Sequence, residues 1–133
     1  MPKECVETSR FILPPGLPFS KGVKKGNHIY VSGTTSLNEK GKFVGIGDIG
    51  KQTRQTLENV IAVVESAGGT AEDIVKINIY LKSISDFEAM NRVYMEFFHM
   101  SCFPARTTVE ANLAHEHFLI EIDAEAILEG DNH

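Results

Sequence analysis

Two kinds of hydrophobic spacing alternate along the chain, and each predicts a different element. Over residues 48–67 the apolar residues recur at intervals of three and four, which predicts a helix with one buried face. Asp48 suits the N-cap of this helix, and Gly68-Gly69 should end it because glycine adopts the left-handed cap conformation at little cost. A second helix is predicted to begin at Ser85, because Ser85 and Glu88 have the spacing of a capping box.

The strands are predicted from period-two alternation. Apolar and polar residues alternate over 75–81, and further strands are predicted over 28–32, 107–112 and 118–128, with an extra one near the N-terminus. The order β-α-β-α-β-β predicts a two-layer α/β sandwich, in a single domain over residues 1–133.

The last predicted strand is apolar on both faces. Ile120 and Ile122 lie on one face, and Leu119 and Ile127 lie on the other. Because two helices can cover only one face of a sheet, the second face needs a partner. We therefore expect a homo-oligomer whose subunits bury that face between them.

Charge and composition exclude several classes of function. The 133 residues carry 13 basic and 18 acidic side chains, a net charge of −5, which disfavours binding to the phosphate backbone of nucleic acids. The first twenty residues lack the apolar run of a secretory signal, and no stretch is apolar enough to span a membrane. Two widely separated cysteines fit a reducing compartment. We expect a cytoplasmic protein that binds neither nucleic acids nor membranes.

Arg106 is the strongest single candidate for chemistry. It is the last basic residue of the chain, and seven acidic residues follow it. An arginine at the start of a strand can bind a substrate carboxylate through two parallel N–H···O bonds. The alternative is a structural ion pair with one of the later acids, which on charge pattern alone is the more common role.

The three carboxylates Glu121, Asp123 and Glu125 share one face of the last strand because they lie two residues apart. On a solvated face they would have no special role. If oligomerisation buries them, desolvation and like-charge proximity would raise at least one pKa, as general acid–base catalysis requires. The sequence leaves both alternatives open.

Other reactive side chains give weaker signals. His115-Glu116-His117 could bind a transition metal if it lay on a strand, but it falls between two predicted strands, where a solvated turn is expected. Cys102 lies four residues before Arg106, yet no histidine pairs with it in the pattern of a catalytic dyad.

Taken together, these segments resemble the RidA/YjgF family of reactive imine and enamine deaminases, over most of the chain from Phe19 to Leu128. The segments that carry the resemblance are FPARTTVE at 103–110, IEI at 120–122, YVSG at 30–33, QTLENV at 55–60 and DFEAMN at 86–91. Several ungapped segments in the same order make the resemblance specific.

The resemblance implies a chorismate-mutase-like α+β fold, with a mixed sheet, two helices on one face, and a homotrimer with clefts between subunits. It implies that Arg106 binds the carboxylate of the substrate and that Glu121 places the attacking water. The cleft-lining positions that it implies are Phe19, Ser32, Gly33, Asn91 and Thr108. No metal or organic cofactor is implied. Phe19 replaces a tyrosine of well-studied members, and Thr108 replaces a common cysteine.

Three functions are compatible with this sequence. The first is hydrolytic deamination of 2-imino acids and enamines, such as 2-aminoacrylate, to 2-oxo acids and ammonia, or of a related substrate such as 2-aminomuconate. The second is a non-catalytic trimer that binds small carboxylates in the same clefts. The third is an endoribonuclease, which the net charge of −5 and the absence of a basic and aromatic track disfavour.

Overall fold

A computed structural model describes residues 1–99 and 101–130, which form one mixed sheet and two α-helices. The strands are β1 (Glu4–Val6), β2 (Gly22–Lys25), β3 (His28–Thr34), β4 (Ile74–Leu81), β5 (Ala105–Glu110) and β6 (Ile120–Ile127). The helices are α1 (Ile49–Ser66) and α2 (Phe87–Tyr94), and short 3₁₀ turns at Ala71–Asp73 and Ile84–Asp86 precede β4 and α2.

The strand order across the sheet is β1-β2-β3-β6-β4-β5. Strands β4 and β5 are parallel and are connected through α2, whereas every other neighbouring pair is antiparallel. The last strand of the chain therefore lies between β3 and β4, in the interior of the sheet. This mixed sheet confirms the predicted α+β class.

The core lies between one face of the sheet and the two helices. Ile77 and Ile79 of β4, Ile122 of β6 and Leu57 of α1 are fully buried in it. Helix α2 contributes Met90 to the same core, so both helices cover the same face, as predicted. Neither described α-helix is long and apolar enough to cross a membrane.

The first helix has the predicted ends, but the second begins later than predicted. The Asp48 carboxylate accepts a hydrogen bond from the Lys51 N–H at 3.0 Å, and Gly68 has a φ of +98° beyond the last turn. Helix α2 begins at Phe87 rather than Ser85. The prediction is wrong because the residues around Ser85 form a 3₁₀ turn, in which the Ser83 hydroxyl accepts from the Ser85 N–H.

The second face of the sheet is only partly apolar, which corrects the prediction for the last strand. Leu119 precedes β6, and the outward residues of that strand are three carboxylates followed by Ile127. Three large side chains on this face, Tyr30, Val109 and Ile127, are exposed by 47%, 42% and 39%. The face therefore combines apolar residues with a row of acidic residues. We call it the open face.

Candidate active site

Arg106 lies on the helix-covered face of the sheet. On β5 it is paired with Ile77 of β4, whose side chain is buried beneath the helices. Its Nη1 donates a hydrogen bond of 2.7 Å to Asn91 Oδ1 of α2. The guanidinium also lies over two rings of α2, 4.8 Å from the Tyr94 centroid and 5.5 Å from that of Phe87. These cation–π contacts and one hydrogen bond fix its orientation.

Within residues 1–99 and 101–130, Arg106 makes no ion pair with a carboxylate. Asn91 accepts only one of the five N–H donors of the guanidinium. Glu110, the acid that follows Arg106 most closely, accepts a hydrogen bond from the Ile84 N–H instead. The half-buried guanidinium therefore keeps its charge and donors available for an external carboxylate.

The cavity in front of Arg106 has a volume of about 310 Å³, at the lower end of the range for small-molecule sites. Its other walls are Asn91, Tyr94, Met95, Phe103 and Pro104. Thr108 lies two residues further along β5 on the same side, and its hydroxyl is buried without a hydrogen-bond partner among the described residues. We call Arg106, Asn91, Tyr94 and Thr108 the carboxylate half-site.

Glu121 lies on the open face, opposite to Arg106. It is paired with Tyr80 of β4, and the neighbouring pair Ile79–Ile122 is buried on the other side. Glu121 shares a second cavity with Gly33, Tyr80, Asp123 and the loop residues 111–114. The carboxylate is half-buried, and no described residue donates a hydrogen bond to it.

Gly33 makes room for the Glu121 carboxylate. The β3–β6 register shifts between Val31 and Thr34, so Ser32 and Gly33 form a bulge without partner residues on β6. A Cβ atom added at Gly33 would overlap the Glu121 carboxylate, with its Cδ only 2.9 Å away. Glycine at this bulge is therefore a steric requirement of the glutamate conformation.

Ser32 is part of this bulge, and Phe19 lies in the segment that leads into β2. The Ser32 hydroxyl donates a hydrogen bond of 2.6 Å to the carbonyl of Ser20. Phe19, which precedes Ser20, is 49% exposed and lines a shallow depression with Lys21 and the segment from Ile12 to Leu17. We call Glu121, Gly33 and Ser32 the acid–base half-site.

The electrostatic surroundings of Glu121 favour retention of its proton. Burial raises the pKa of Glu121, and the nearby charge of Asp123 raises it further. Asp123 accepts hydrogen bonds from the Asn78 amide and the Tyr80 hydroxyl, both at 2.9 Å. The pKa of Tyr80 is raised, chiefly by this hydrogen bond, so the hydroxyl remains a donor near neutral pH.

The seven predicted site residues thus fall into two groups. Arg106, Asn91 and Thr108 lie together on the helix-covered side, whereas Glu121, Ser32 and Gly33 lie together on the open face. Phe19 is adjacent in sequence to Ser20, whose carbonyl accepts the hydrogen bond from Ser32, but it lines a different depression. In a single chain the sheet separates the two half-sites.

No group of three or more possible metal ligands occurs among the described residues. His115 and His117 lie in the loop before β6, with ring centroids 5.0 Å apart and both packed against Phe43. The Nδ1 atom of His115 accepts a hydrogen bond from the His117 N–H. This motif therefore belongs to an ordered turn with an aromatic neighbour.

The contact between Arg106 and the aromatic face of α2 was not predicted from the sequence. Phe87, Asn91 and Tyr94 are spaced by four and three residues, so they share one face of α2. That spacing, together with a polar residue in the middle of an apolar stripe, is the signal that could have identified the contact. Tyr80 gave no comparable signal.

Comparison with known proteins gives a consistent match. The family model described as Endoribonuclease L-PSP matches residues 12–128. A RutC family protein of Pyrococcus horikoshii is 41% identical over 96% of this chain and 99% of its own length. The 2-iminobutanoate/2-iminopropanoate deaminase of Escherichia coli is 41% identical over 83% of this chain and 87% of its own length. The 3-aminoacrylate deaminase RutC of Acinetobacter baylyi is 37% identical over 92% of this chain and 95% of its own length.

Solved structures agree with this match. A protein of the conserved Rid family, YyfA from Yersinia pestis, superimposes with a TM-score of 0.88 at 35% identity, covering 96% of this chain and all of that one. TdcF of E. coli, solved with bound serine, has a TM-score of 0.86 at 31% identity, covering 95% and 99%.

Proposed function

Because this chain belongs to the RidA/YjgF family, whose model is described as Endoribonuclease L-PSP, we propose that it hydrolyses 2-imino acids to 2-oxo acids and ammonia. The observation that carries this proposal is the Arg106 guanidinium, which is held in position by Asn91 and Tyr94 but is not neutralised by a described carboxylate. Relatives named as deaminases of 2-imino acids and of 3-aminoacrylate support the same chemistry.

Arg106 binds the carboxylate of the substrate. Two parallel N–H···O bonds fix the direction of the carboxylate and hence the position of the adjacent imine carbon. The contribution to rate is largely positional, since a protonated imine is already electrophilic. The amide of Asn91 supports this geometry, because its oxygen holds one edge of the guanidinium.

Glu121 acts as the general acid–base group toward the attacking water. The water oxygen bonds to C2 as the C=N π electrons move to nitrogen, and Glu121 accepts the proton that water loses. Glu121 passes this proton to the nitrogen of the carbinolamine and then accepts the C2 hydroxyl proton, as the C2 oxygen forms the carbonyl and ammonia leaves with the electron pair of the C2–N bond. The last proton, which the imine had taken up, is released to solvent. The sum is one imine and one water converted to one 2-oxo acid and one ammonia.

The complete site is formed by two copies of the chain, in a homotrimer. Two observations support this arrangement: the half-sites lie on opposite faces of one sheet, and Tyr30, Val109 and Ile127 are exposed on the open face. Docking the carboxylate half-site of one subunit against the open face of its neighbour would bring Arg106 and Glu121 to one substrate. The free, exposed cysteines Cys5 and Cys102 fit a cytoplasmic location.

The test is a turnover assay over a panel of imines. An amino-acid oxidase or a lyase generates 2-imino acids in the presence of semicarbazide, and a separate reaction supplies 3-aminoacrylate. We expect wild-type protein to compete with semicarbazone formation, and Arg106→Ala and Glu121→Gln to lose this effect. Arg54→Ala removes an exposed arginine paired with Glu96 and serves as the control. Identical traces for wild type and Arg106→Ala with every substrate would refute the proposal.

A further inference from the structure

We propose that Asp123, held in place by Asn78 and Tyr80, is a positioning residue that sets the proton occupancy of Glu121 and hence the pH range of turnover. The inference rests on the proposed function, because it concerns the acid–base group of that reaction. It assigns a role to a carboxylate that contacts neither Arg106 nor the helix-covered side of the sheet.

The two carboxylates have a fixed spatial relation. Glu121 and Asp123 lie two residues apart on β6, so both project from the open face, and both line the same cavity. Strand β6 lies between β3 and β4, and its ladder with β4 is regular over this segment. The backbone thus holds the side chains next to each other independently of any ligand.

The two carboxylates are bonded very differently. Both oxygens of Asp123 accept hydrogen bonds, Oδ1 from the Asn78 amide and Oδ2 from the Tyr80 hydroxyl, each at 2.9 Å. Asn78 and Tyr80 both come from β4, so the restraint is built into the sheet. No described residue donates to Glu121, which keeps its oxygens available for water or substrate.

Within one chain, the other groups around Glu121 leave Asp123 as the principal charged neighbour, and in the proposed trimer the Arg106 side chain of the adjacent subunit would face it as well. Strand β4 presents Tyr80, β3 presents Gly33, and the loop residues 111–114 include no titratable side chain. Further along the open face, Glu125 is paired with Lys76. The pKa of Glu121 is raised first by burial and then by the charge of Asp123, in agreement with this geometry.

The arrangement separates the roles of two similar groups. A carboxylate fixed by two donors holds its negative charge at a defined position, and a neighbouring carboxylate without donors then binds its proton more tightly. Glu121 becomes a stronger base toward water and a better proton carrier to the departing nitrogen. Removing the charge at Asp123 should weaken both properties while leaving the binding of the substrate carboxylate to Arg106 intact.

The experiment measures the titration of Glu121 directly in the free protein. Carbon-13 NMR of protein labelled in the glutamate carboxyl groups follows each resonance with pH, and Glu121→Gln identifies the relevant signal. We expect Asp123→Asn, which keeps the size of the side chain, to move the Glu121 midpoint to lower pH. The low-pH limb of the kcat/KM profile should move in the same direction, with KM at neutral pH changing less than kcat.

Glu125→Gln is the matched control. It removes the same charge from the same face of the same strand, but Glu125 is exposed and does not line the cavity. We expect it to leave the Glu121 midpoint and the pH profile unchanged. If a thermal melt shows that the Asp123→Asn protein is not folded, Asp123→Ser is used instead of Asp123→Asn in both measurements, because it removes the same charge with a smaller side chain.

The outcomes separate the inference from the proposed function. If no removal of the charge at position 123 shifts the midpoint, or if Glu125→Gln shifts it equally, the inference is overturned. That result stands whether or not any imine is a substrate, because the titration needs no substrate. If the midpoint shifts as expected but Arg106→Ala retains full activity on every imine, the proposed reaction fails and the coupling between the two carboxylates remains.

Discussion

Arg106 and Glu121 project from opposite faces of the same sheet. Arg106 is paired with buried Ile77, and Glu121 is paired with Tyr80, whose side chain points the other way. Two residues proposed to act on one small molecule therefore cannot meet within a single chain. The proposed trimer is therefore required for catalysis as well as for stability.

Mixed oligomers test this consequence. We expect Arg106→Ala and Glu121→Gln proteins, each strongly impaired alone, to regain activity when unfolded and refolded together. If each site of a trimer takes one residue from each of two neighbours, random mixing of equal amounts restores about one quarter of the sites. Mixing Arg106→Ala with the double variant is the control and should restore none. Activity no greater than the sum of the separate variants would contradict a shared site.

The second prediction concerns the shape of the cation. Arg106→Ala should lower kcat/KM by about 10- to 100-fold, the usual worth of a hydrogen-bonded charge contact. Arg106→Lys should recover only part of this loss, because an ammonium group can neither form the bidentate contact nor stack on Tyr94 in the same way. Steady-state kinetics on a 2-imino acid provide the measurement. Equal activity of the lysine variant and wild type would show that charge alone suffices.

The third prediction concerns the bulge in β3. Gly33→Ala places a methyl group where the Glu121 carboxylate lies, so the glutamate must move. We expect a fall in kcat of about tenfold or more, since small displacements of a reacting group are costly, with the fold retained by circular dichroism. Gly130→Ala is the control, because a Cβ atom there has no neighbour within 4 Å. Unchanged kcat in Gly33→Ala would mean that the described glutamate conformation is not the active one.

The fourth prediction concerns stability against pH. The pKa of Glu121 is raised in the folded protein, chiefly by burial, so ionisation costs stability as the pH rises through that pKa. Below the ordinary glutamate pKa both states are protonated and the cost vanishes. Glu121→Gln should therefore raise Tm by about 1–3 °C at pH 8 and by less at pH 4. Exposed Glu125→Gln should show no such pH-dependent difference.

The fifth prediction concerns Gln52, which is fully buried on α1. Its amide donates to the carbonyls of Gly45 and His117 and accepts from the Leu119 N–H. Gln52→Leu leaves these backbone groups without partners and should lower the free energy of unfolding by about 2–4 kcal/mol. Gln55→Leu, with a single side-chain hydrogen bond to Asn59, should cost less in the same denaturant titration.

Local signals predicted the first helix well and the start of the second poorly. Asp48 caps α1 by a bond within its own first turn, which a sequence pattern can contain. The start of α2 depends on a distant residue, because Glu110 of β5 accepts from the Ile84 N–H and helps to hold the preceding 3₁₀ turn. A capping-box spacing at Ser85 could not reveal a contact across 26 residues.

The candidate site shows the same division. Period-two alternation placed Glu121 and Asp123 on one face, the charge pattern identified Arg106 as a candidate, and the resemblance supplied its role in binding a carboxylate. The hydrogen bond from Tyr80 to Asp123 joins residues 43 apart. It exists because β6 inserts between β3 and β4, and that strand order is set by packing of the whole sheet. A local sequence pattern cannot predict a hydrogen bond between residues so far apart in the chain.

The bulge at Ser32-Gly33 has one further consequence. Gly33 has no partner residue on β6, so its peptide group lies outside the regular ladder and beside the Glu121 carboxylate. A polar group of the main chain cannot be removed by exchanging a side chain. The surroundings of Glu121 therefore include a main-chain group that no substitution at a position such as 19 or 108 can remove.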